Sequence, residues 1–202
     1  MKYEIIDNFL DPSYYNLLAE HFLGTTGRKI PWTYVEDVVG KDIVKKSKIS
    51  HQGFNHNIYH PSPDAPNSEI YPMVLPMMEN IRTLLENKYC YRARASMTLQ
   101  TGERITQSPH VDFYAMPHNT AIYYMNDADG DTILYKEKTN GLPDYPKLEN
   151  VTEHARIQPK ANRLLLFNGE HYHTGESAVE TSRRVLININ FGDVEMHFTP
   201  GG

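Results

Sequence analysis

The stretch Arg184-Val185-Leu186-Ile187-Asn188-Ile189-Asn190-Phe191 alternates with a period that only an extended strand can use. Successive side chains of a strand point to opposite faces, so Val185, Ile187, Ile189 and Phe191 share one face and Arg184, Leu186, Asn188 and Asn190 share the other. The apolar face needs a packed layer against it. The opposite face carries an arginine and two asparagines toward an interior. Buried charge is costly unless it is paired. An inward Arg184 therefore points to an anionic ligand, held bidentately by the guanidinium.

Similar alternation recurs from Tyr91 onward. Arg92 to Gln100 sets Ala93, Ala95, Met97 and Leu99 against Arg94, Ser96, Thr98 and Gln100. Thr120 to Asn126, Asp131 to Lys136 (entered through Asp127-Ala128-Asp129-Gly130) and Asn162 to Phe167 read as further strands. Thr106 to Phe113 and His154 to Ile157 are weaker candidates. Before Tyr91 the signal is helical after a short opening strand at Tyr3–Asp7. Asp11-Pro12 supplies an N-cap and a first-turn proline for a helix that Gly24 ends. A second helix is expected from Ile70 to Asn87, with Val74, Met77, Met78, Ile81, Leu84 and Leu85 on one stripe and Pro76 disturbing its first turns. Two helices followed by a run of strands predict a mainly β chain with flanking helices, a sandwich or barrel carrying the helices on one outer face. Residues 33–66 and 137–150 read as long loops, the usual place for lids and binding segments.

Composition narrows the function classes. The chain has 202 residues with 20 Lys+Arg against 25 Asp+Glu, a net charge of −5 that leaves no basic footprint for nucleic acid. No apolar run reaches the roughly 20 residues that span a bilayer, and Met1-Lys2-Tyr3-Glu4 is unlike a secretion signal, so a cytoplasmic location with no membrane partner is expected. The single Cys90 excludes an internal disulfide and a multi-cysteine zinc site. Ten histidines stand against it, and neutral imidazole is the commonest protein metal ligand.

His110-Val111-Asp112 is the informative triplet. On an extended strand, residues i and i+2 face the same side about 6.7 Å apart, so imidazole and carboxylate converge on one ion. A third ligand must come from elsewhere, and His171 and His173 both stand just past Leu164–Phe167. Two histidines and a carboxylate on one side of an ion form the facial triad of non-haem Fe(II) oxygenases, with other positions open. By strand parity Thr120, Ile122 and Tyr124 share a face, and a tyrosine hydroxyl beside Arg184 would complete a carboxylate site.

His110-x-Asp112, His173-Thr174-Gly175, Arg184-x-x-x-Asn188 and Ile122-Tyr123-Tyr124-Met125-Asn126, taken in order, resemble the 2-oxoglutarate and Fe(II)-dependent dioxygenases, in the branch near the prolyl hydroxylases. Ile6-Asp7-Asn8-Phe9-Leu10 is similar to the entry to that branch's N-terminal helix, and the chain looks like its short single-domain type from phages and marine bacteria. The resemblance implies a double-stranded β-helix (jelly roll) as a single domain over residues 1–202. Residues 1–90 would form a helical and loop support and residues 91–192 the core. It implies Fe(II) on His110, Asp112 and His173, with His173 preferred to His171 because Gly175 follows it. It implies 2-oxoglutarate, O2 and, as a further cofactor, ascorbate. Arg184 would take the distal carboxylate of 2-oxoglutarate, preferred to Arg183 because Asn188 follows it by four. Tyr124, Gln100, Asn188 and Thr120 are the further cosubstrate candidates, Gln100 standing where many relatives carry a tyrosine. The implied reaction is hydroxylation of a small-molecule or peptide substrate, a prolyl peptide being the family-level choice, with release of succinate and CO2.

The competing reading is a non-catalytic β-barrel that binds a small acidic ligand or carbohydrate; Arg184 with Tyr124 favours the oxygenase. The other histidines have plainer roles. His56 and His60 read as loop or packing residues, His118 as a loop-surface residue, and His21, His51, His154 and His197 as solvent or packing residues.

Overall fold

The computed structural model describes residues 1–25, 27–36, 38, 52–62, 67–143 and 146–196. His51 and His197 lie outside them, as do parts of the two segments read as loops. The larger sheet has seven strands in the order β1 (Tyr3–Asp7), β8 (Arg163–Asn168), β5 (Asn119–Tyr124), β10 (Arg183–Gly192), β4 (Tyr89–Leu99), β3 (Gly53–Tyr59) and β2 (Thr33–Val35). The smaller has β7 (Glu153–Ile157), β6 (Thr132–Lys138) and β9 (His171–Gly175). All pairings are antiparallel.

Among the described residues, two helices cover one face of the larger sheet. In α1 (Pro12–Leu23) the Asp11 carboxylate accepts the Ser13 N–H at 2.8 Å, Pro12 occupies the first turn, and Gly24 closes the helix at φ 65°. α2 (Tyr71–Leu84) runs through Pro76. Leu18 and Phe22 of α1 and Val74, Met77, Met78 and Ile81 of α2 pack with Val185, Ile187, Ile189 and Phe191, the apolar face of β10, and with Ala93, Ala95, Ala121 and Tyr123. Each large side chain buried there stabilises the fold by about 1.5–3 kcal/mol. A second core lies between the sheets, where Ile122, Leu165, Phe167 and Leu186 meet Leu134 and Ile157. This is the mainly β, double-stranded β-helix with helices on one outer face that the sequence predicts.

Three details differ from expectation. The segment read as a loop over residues 33–66 contains β2 and β3, which extend the larger sheet past β4. Thr106 to Phe113 is not a strand: two isolated bridges, Thr106 with Glu176 and His110 with His173, and single bonds such as the Gln107 N–H to the Gly175 carbonyl tie it down. Pro109, which lacks an N–H, interrupts any longer ladder there. His118 is buried at 4 % exposure rather than on a loop surface.

Asn162 joins the N-terminal segment to the barrel. It sits at φ 60°, accepts the Leu10 N–H at 2.9 Å and the Tyr123 hydroxyl at 2.8 Å, and donates to the Leu10 carbonyl at 2.8 Å. Asn162→Ala strands these buried partners and places a β-carbon residue in the left-handed region without the amide that favours it. The expected cost is about 3 kcal/mol. In a chain of this length that lowers Tm by roughly 6–12 °C, measurable by calorimetry.

Candidate metal centre and cosubstrate pocket

His173 lies in β9, facing the interior at 3 % exposure. His110 is brought against it by the isolated bridge: the His110 N–H donates to the His173 carbonyl at 3.0 Å, and the return bond is 2.9 Å. Val111 points the other way, buried in a cluster with Ile133, Tyr135 and Tyr172. That anchor turns its neighbours His110 and Asp112 inward. Convergence thus comes from one bridge and one buried valine, not from the regular strand the triplet suggested. The two imidazole rings stand 4.6 Å apart, and the ligand atoms of His110, Asp112 and His173 all lie within 4.8 Å of one another.

The surroundings suit a metal. His110 Nδ1 faces the Ser108 carbonyl at 3.1 Å and His173 Nδ1 faces the His171 carbonyl at 3.4 Å, so in each ring the proton sits on Nδ1 and the Nε2 lone pair is presented. His173 Nε2 is buried with no hydrogen-bond partner, which an ion would satisfy. Burial, then the second imidazole, pushes His110 down to about 3, and burial also lowers His173, so both rings are neutral at pH 7. Burial raises the Asp112 carboxyl, but neighbouring charge, led by the Arg92 guanidinium, outweighs it and holds the group well below the usual carboxylate range. Arg92 Nη2 donates to Asp112 Oδ1 at 2.6 Å, Asn190 Nδ2 to Oδ2 at 2.8 Å and Asn188 Nδ2 to Oδ2 at 3.1 Å. Two neutral nitrogens and one ionised carboxylate with open space beside them match a facial-triad donor set.

The outer groups fix the carboxylate's direction. Asn190→Ala removes one of its three donors, and loss of such a support typically weakens metal binding 10–100-fold. Equilibrium dialysis against Fe(II) under anaerobic conditions is expected to give a value in that range.

Beside the cluster lies a pocket that opens to solvent, lined among others by His110, His173, Asn188, Arg184, Thr132, Gln107 and Gly175. Arg184 is 7 % exposed and donates to Thr132 Oγ1 at 2.6 Å. The Tyr124 hydroxyl donates to the same oxygen at 2.7 Å, and the Arg184 guanidinium sits 5.8 Å from the Tyr124 ring centre. With both lone pairs of Thr132 Oγ1 filled, its own hydrogen is left to donate. A β-carbon on Gly175 would lie 3.4 Å from both Arg184 Nη1 and Gln107 Oε1, so both side chains border this glycine on the pocket wall. Arg183 faces away and donates to the Leu23 carbonyl of α1 at 2.8 Å.

Of the residues predicted from sequence, His110, Asp112, His173 and Arg184 come together, with Tyr124 behind Arg184. His171 Nδ1 is buried outside the cluster, its carbonyl serving His173. Of the other cosubstrate candidates, two lie away from the pocket and one lines it. Gln100 is exposed past the end of β4, and its amide donates to the Val179 carbonyl. Thr120 does not line the pocket; its hydroxyl accepts from Asn190 at 3.1 Å. Asn188 lines it, but its amide is directed to Asp112. Sequence reasoning missed Arg92, Asn190, Thr132 and Gln107 as site residues. For Arg92 and Asn190 the signal was present, because both continue the polar parity of β4 and β10.

Residues 97–192, which contain the whole cluster and Arg184, match the family model described as the 2OG-Fe(II) oxygenase superfamily. Among curated proteins, none matches this chain in sequence. Solved structures share the fold. A Trichoplax adhaerens prolyl hydroxylase in complex with a hypoxia inducible factor peptide fragment superposes with a TM-score of 0.58 at 15 % identity, covering 95 % of this chain and 83 % of that one. A Pseudomonas putida prolyl-4-hydroxylase gives 0.57 at 16 % identity, covering 95 % and 92 %. The epimerase SnoN in complex with Fe3+, alpha ketoglutarate and nogalamycin RO gives 0.60 at 13 % identity, covering 95 % and 78 %. The family match thus spans 96 of the 202 residues, just under half of the chain, and lies over the His–Asp–His cluster and Arg184 within a double-stranded β-helix that the solved structures share.

Proposed function

We propose that His110, Asp112 and His173 hold the Fe(II), that Arg184 receives the distal carboxylate of 2-oxoglutarate, and that the enzyme hydroxylates its substrate with release of succinate and CO2. Residues 1–202 act as one domain in this reading, with α1 and α2 stiffening the sheet that carries the site. Bound Fe(II) supplies the oxidising chemistry: with O2 it couples decarboxylation of 2-oxoglutarate to hydroxylation of a substrate C–H bond.

The protein's part is binding and orientation. The observation that carries the assignment is Arg184, a cation buried in the same pocket as two neutral imidazoles whose free nitrogens converge on an ionised aspartate. Tyr124 and Thr132 hold the Arg184 guanidinium at a fixed place, so a dicarboxylate arrives in one orientation. The fused shell of Arg92, Asn188 and Asn190 does the same for Asp112. A prolyl side chain is the substrate we favour, on the resemblance of the ordered motifs to the prolyl hydroxylases. Its test is aerobic incubation of the Fe(II)-loaded protein with labelled 2-oxoglutarate and prolyl peptides. Succinate formed in step with a hydroxylated proline is expected. No succinate above the Fe(II)-only background would overturn the assignment.

A further inference from the structure

We propose that Asp131 and Glu176 serve as the counter-charge of Arg184 while the pocket is empty, and so set how much 2-oxoglutarate is needed to fill it. This deepens the oxygenase reading above and rests on it.

Arg184 meets the smaller sheet at two adjacent points. Its Nη2 donates to Thr132 Oγ1 at 2.6 Å, and its Nη1 lies 3.4 Å from where a β-carbon of Gly175 would stand. Thr132 and Gly175 are register partners in β6 and β9. Each has an acid beside it in the chain: Asp131 precedes Thr132, and Glu176 follows Gly175. The Glu176 N–H donates to the Asp131 carbonyl at 2.8 Å, which keeps the two acids side by side at this end of the sheet. Neither acid is among the residues that line the pocket, so neither takes a ligand's place in it.

Glu176 is 5 % exposed. Its carboxylate accepts Arg156 Nη1 at 2.6 Å and the Thr106 hydroxyl at 3.0 Å. Arg104 approaches it at 3.8 Å and pairs with Asp129 at 2.9 Å. Arg156 also pairs with Glu153 at 2.9 Å and reaches Asp131 at 3.9 Å. The group thus sets four carboxylates against two arginines, with Arg184 on its inner side. The crowding of like charge shows at Asp131: burial and then Glu176 raise its carboxyl in spite of the arginines. Burial lowers the Arg184 guanidinium, and Tyr124, Asp131 and Glu176 act against that.

A buried cation is costly without an anion. The two acids supply one from behind the sheet, so the chain can fold with the pocket empty. The same charges repel an entering dicarboxylate. They therefore stabilise the empty pocket and weaken the binding of the cosubstrate's distal end.

The test is anaerobic calorimetric titration of the Fe(II)-loaded protein with 2-oxoglutarate and, separately, with 2-oxobutyrate, which keeps the keto acid and lacks the distal carboxylate. Asp131→Asn is the first variant, because its carboxylate meets Arg156 only loosely and the amide keeps its shape. It is expected to lower the Kd of 2-oxoglutarate about three- to tenfold and to leave that of 2-oxobutyrate within about twofold. Asp131→Glu is expected to restore the original 2-oxoglutarate value, and Glu176→Gln to act in the same direction as Asp131→Asn. Simple damage to the fold would weaken 2-oxoglutarate binding, the opposite sign. The proposal fails if neither neutral variant tightens 2-oxoglutarate, or if 2-oxobutyrate tightens as much. Failure of the oxygenase reading looks different: the unsubstituted protein then binds no 2-oxoglutarate, and this proposal falls with it.

Discussion

Asp112→Ala is expected to weaken Fe(II) binding by more than about a hundredfold and to leave no measurable turnover. Outer-shell losses alone account for 10–100-fold, and here the ligand itself is removed. Asp112 is the only anion among the three donors, its side chain is 3 % exposed, and Arg92 keeps it ionised. Without it the ion would face two neutral imidazoles and the Arg92 guanidinium, which repels it. Asp112→Asn separates charge from shape: it keeps a side chain of the same size and is expected to lose nearly as much affinity. Anaerobic equilibrium dialysis reads the affinity, and thermal unfolding of the metal-free variants shows whether the fold survives.

Arg184→Ala is expected to act on the cosubstrate. Truncating one partner of a buried, hydrogen-bonded charge pair costs about 2–5 kcal/mol, so the half-saturating 2-oxoglutarate concentration is expected to rise about 30-fold or more. Arg184→Lys recovers part of this, since it restores the charge without the planar fork. Arg183→Ala is the control set by the structure. Its side chain reaches the Leu23 carbonyl on the helix side of the sheet, and its loss is expected to change 2-oxoglutarate saturation by less than about twofold. Steady-state succinate formation against 2-oxoglutarate concentration distinguishes the three variants.

The parity of β10 was legible because a two-sided strand must write both of its environments into alternate residues. Its apolar side met the helices and its polar side met the pocket. The same logic failed where the environment was mixed. In β3 the residue facing the helices at the middle of the strand is His56, bonded to the Pro31 carbonyl and the Ser68 hydroxyl at 2.7 Å each, so the strand shows no apolar alternation there. β9 is short and reads His-Tyr-His-Thr-Gly, in which only Tyr172 and Thr174 favour a strand; pairing with β6 completes it. Gln100 shares the parity of Thr98, but β4 ends at Leu99 and the Gln100 N–H turns to the Ser182 carbonyl at 3.0 Å, carrying its side chain out of the barrel. The ligand set was readable because chemistry restricts it to few residue types. Thr132 and Gln107 were not, because hydroxyl and amide side chains carry no such restriction and only their positions beside Arg184 give them a role.

The central claim is that one pocket binds Fe(II) through His110, Asp112 and His173 and 2-oxoglutarate through Arg184 at the same time. Its most direct measurement is the visible absorption spectrum of the purified protein under anaerobic conditions as Fe(II) and then 2-oxoglutarate are added. The account predicts a weak charge-transfer band that requires both additions, is absent in Asp112→Ala, and appears only at raised 2-oxoglutarate in Arg184→Ala. A band that persists in Asp112→Ala, or no band in the unsubstituted protein with both ligands in excess, would contradict it.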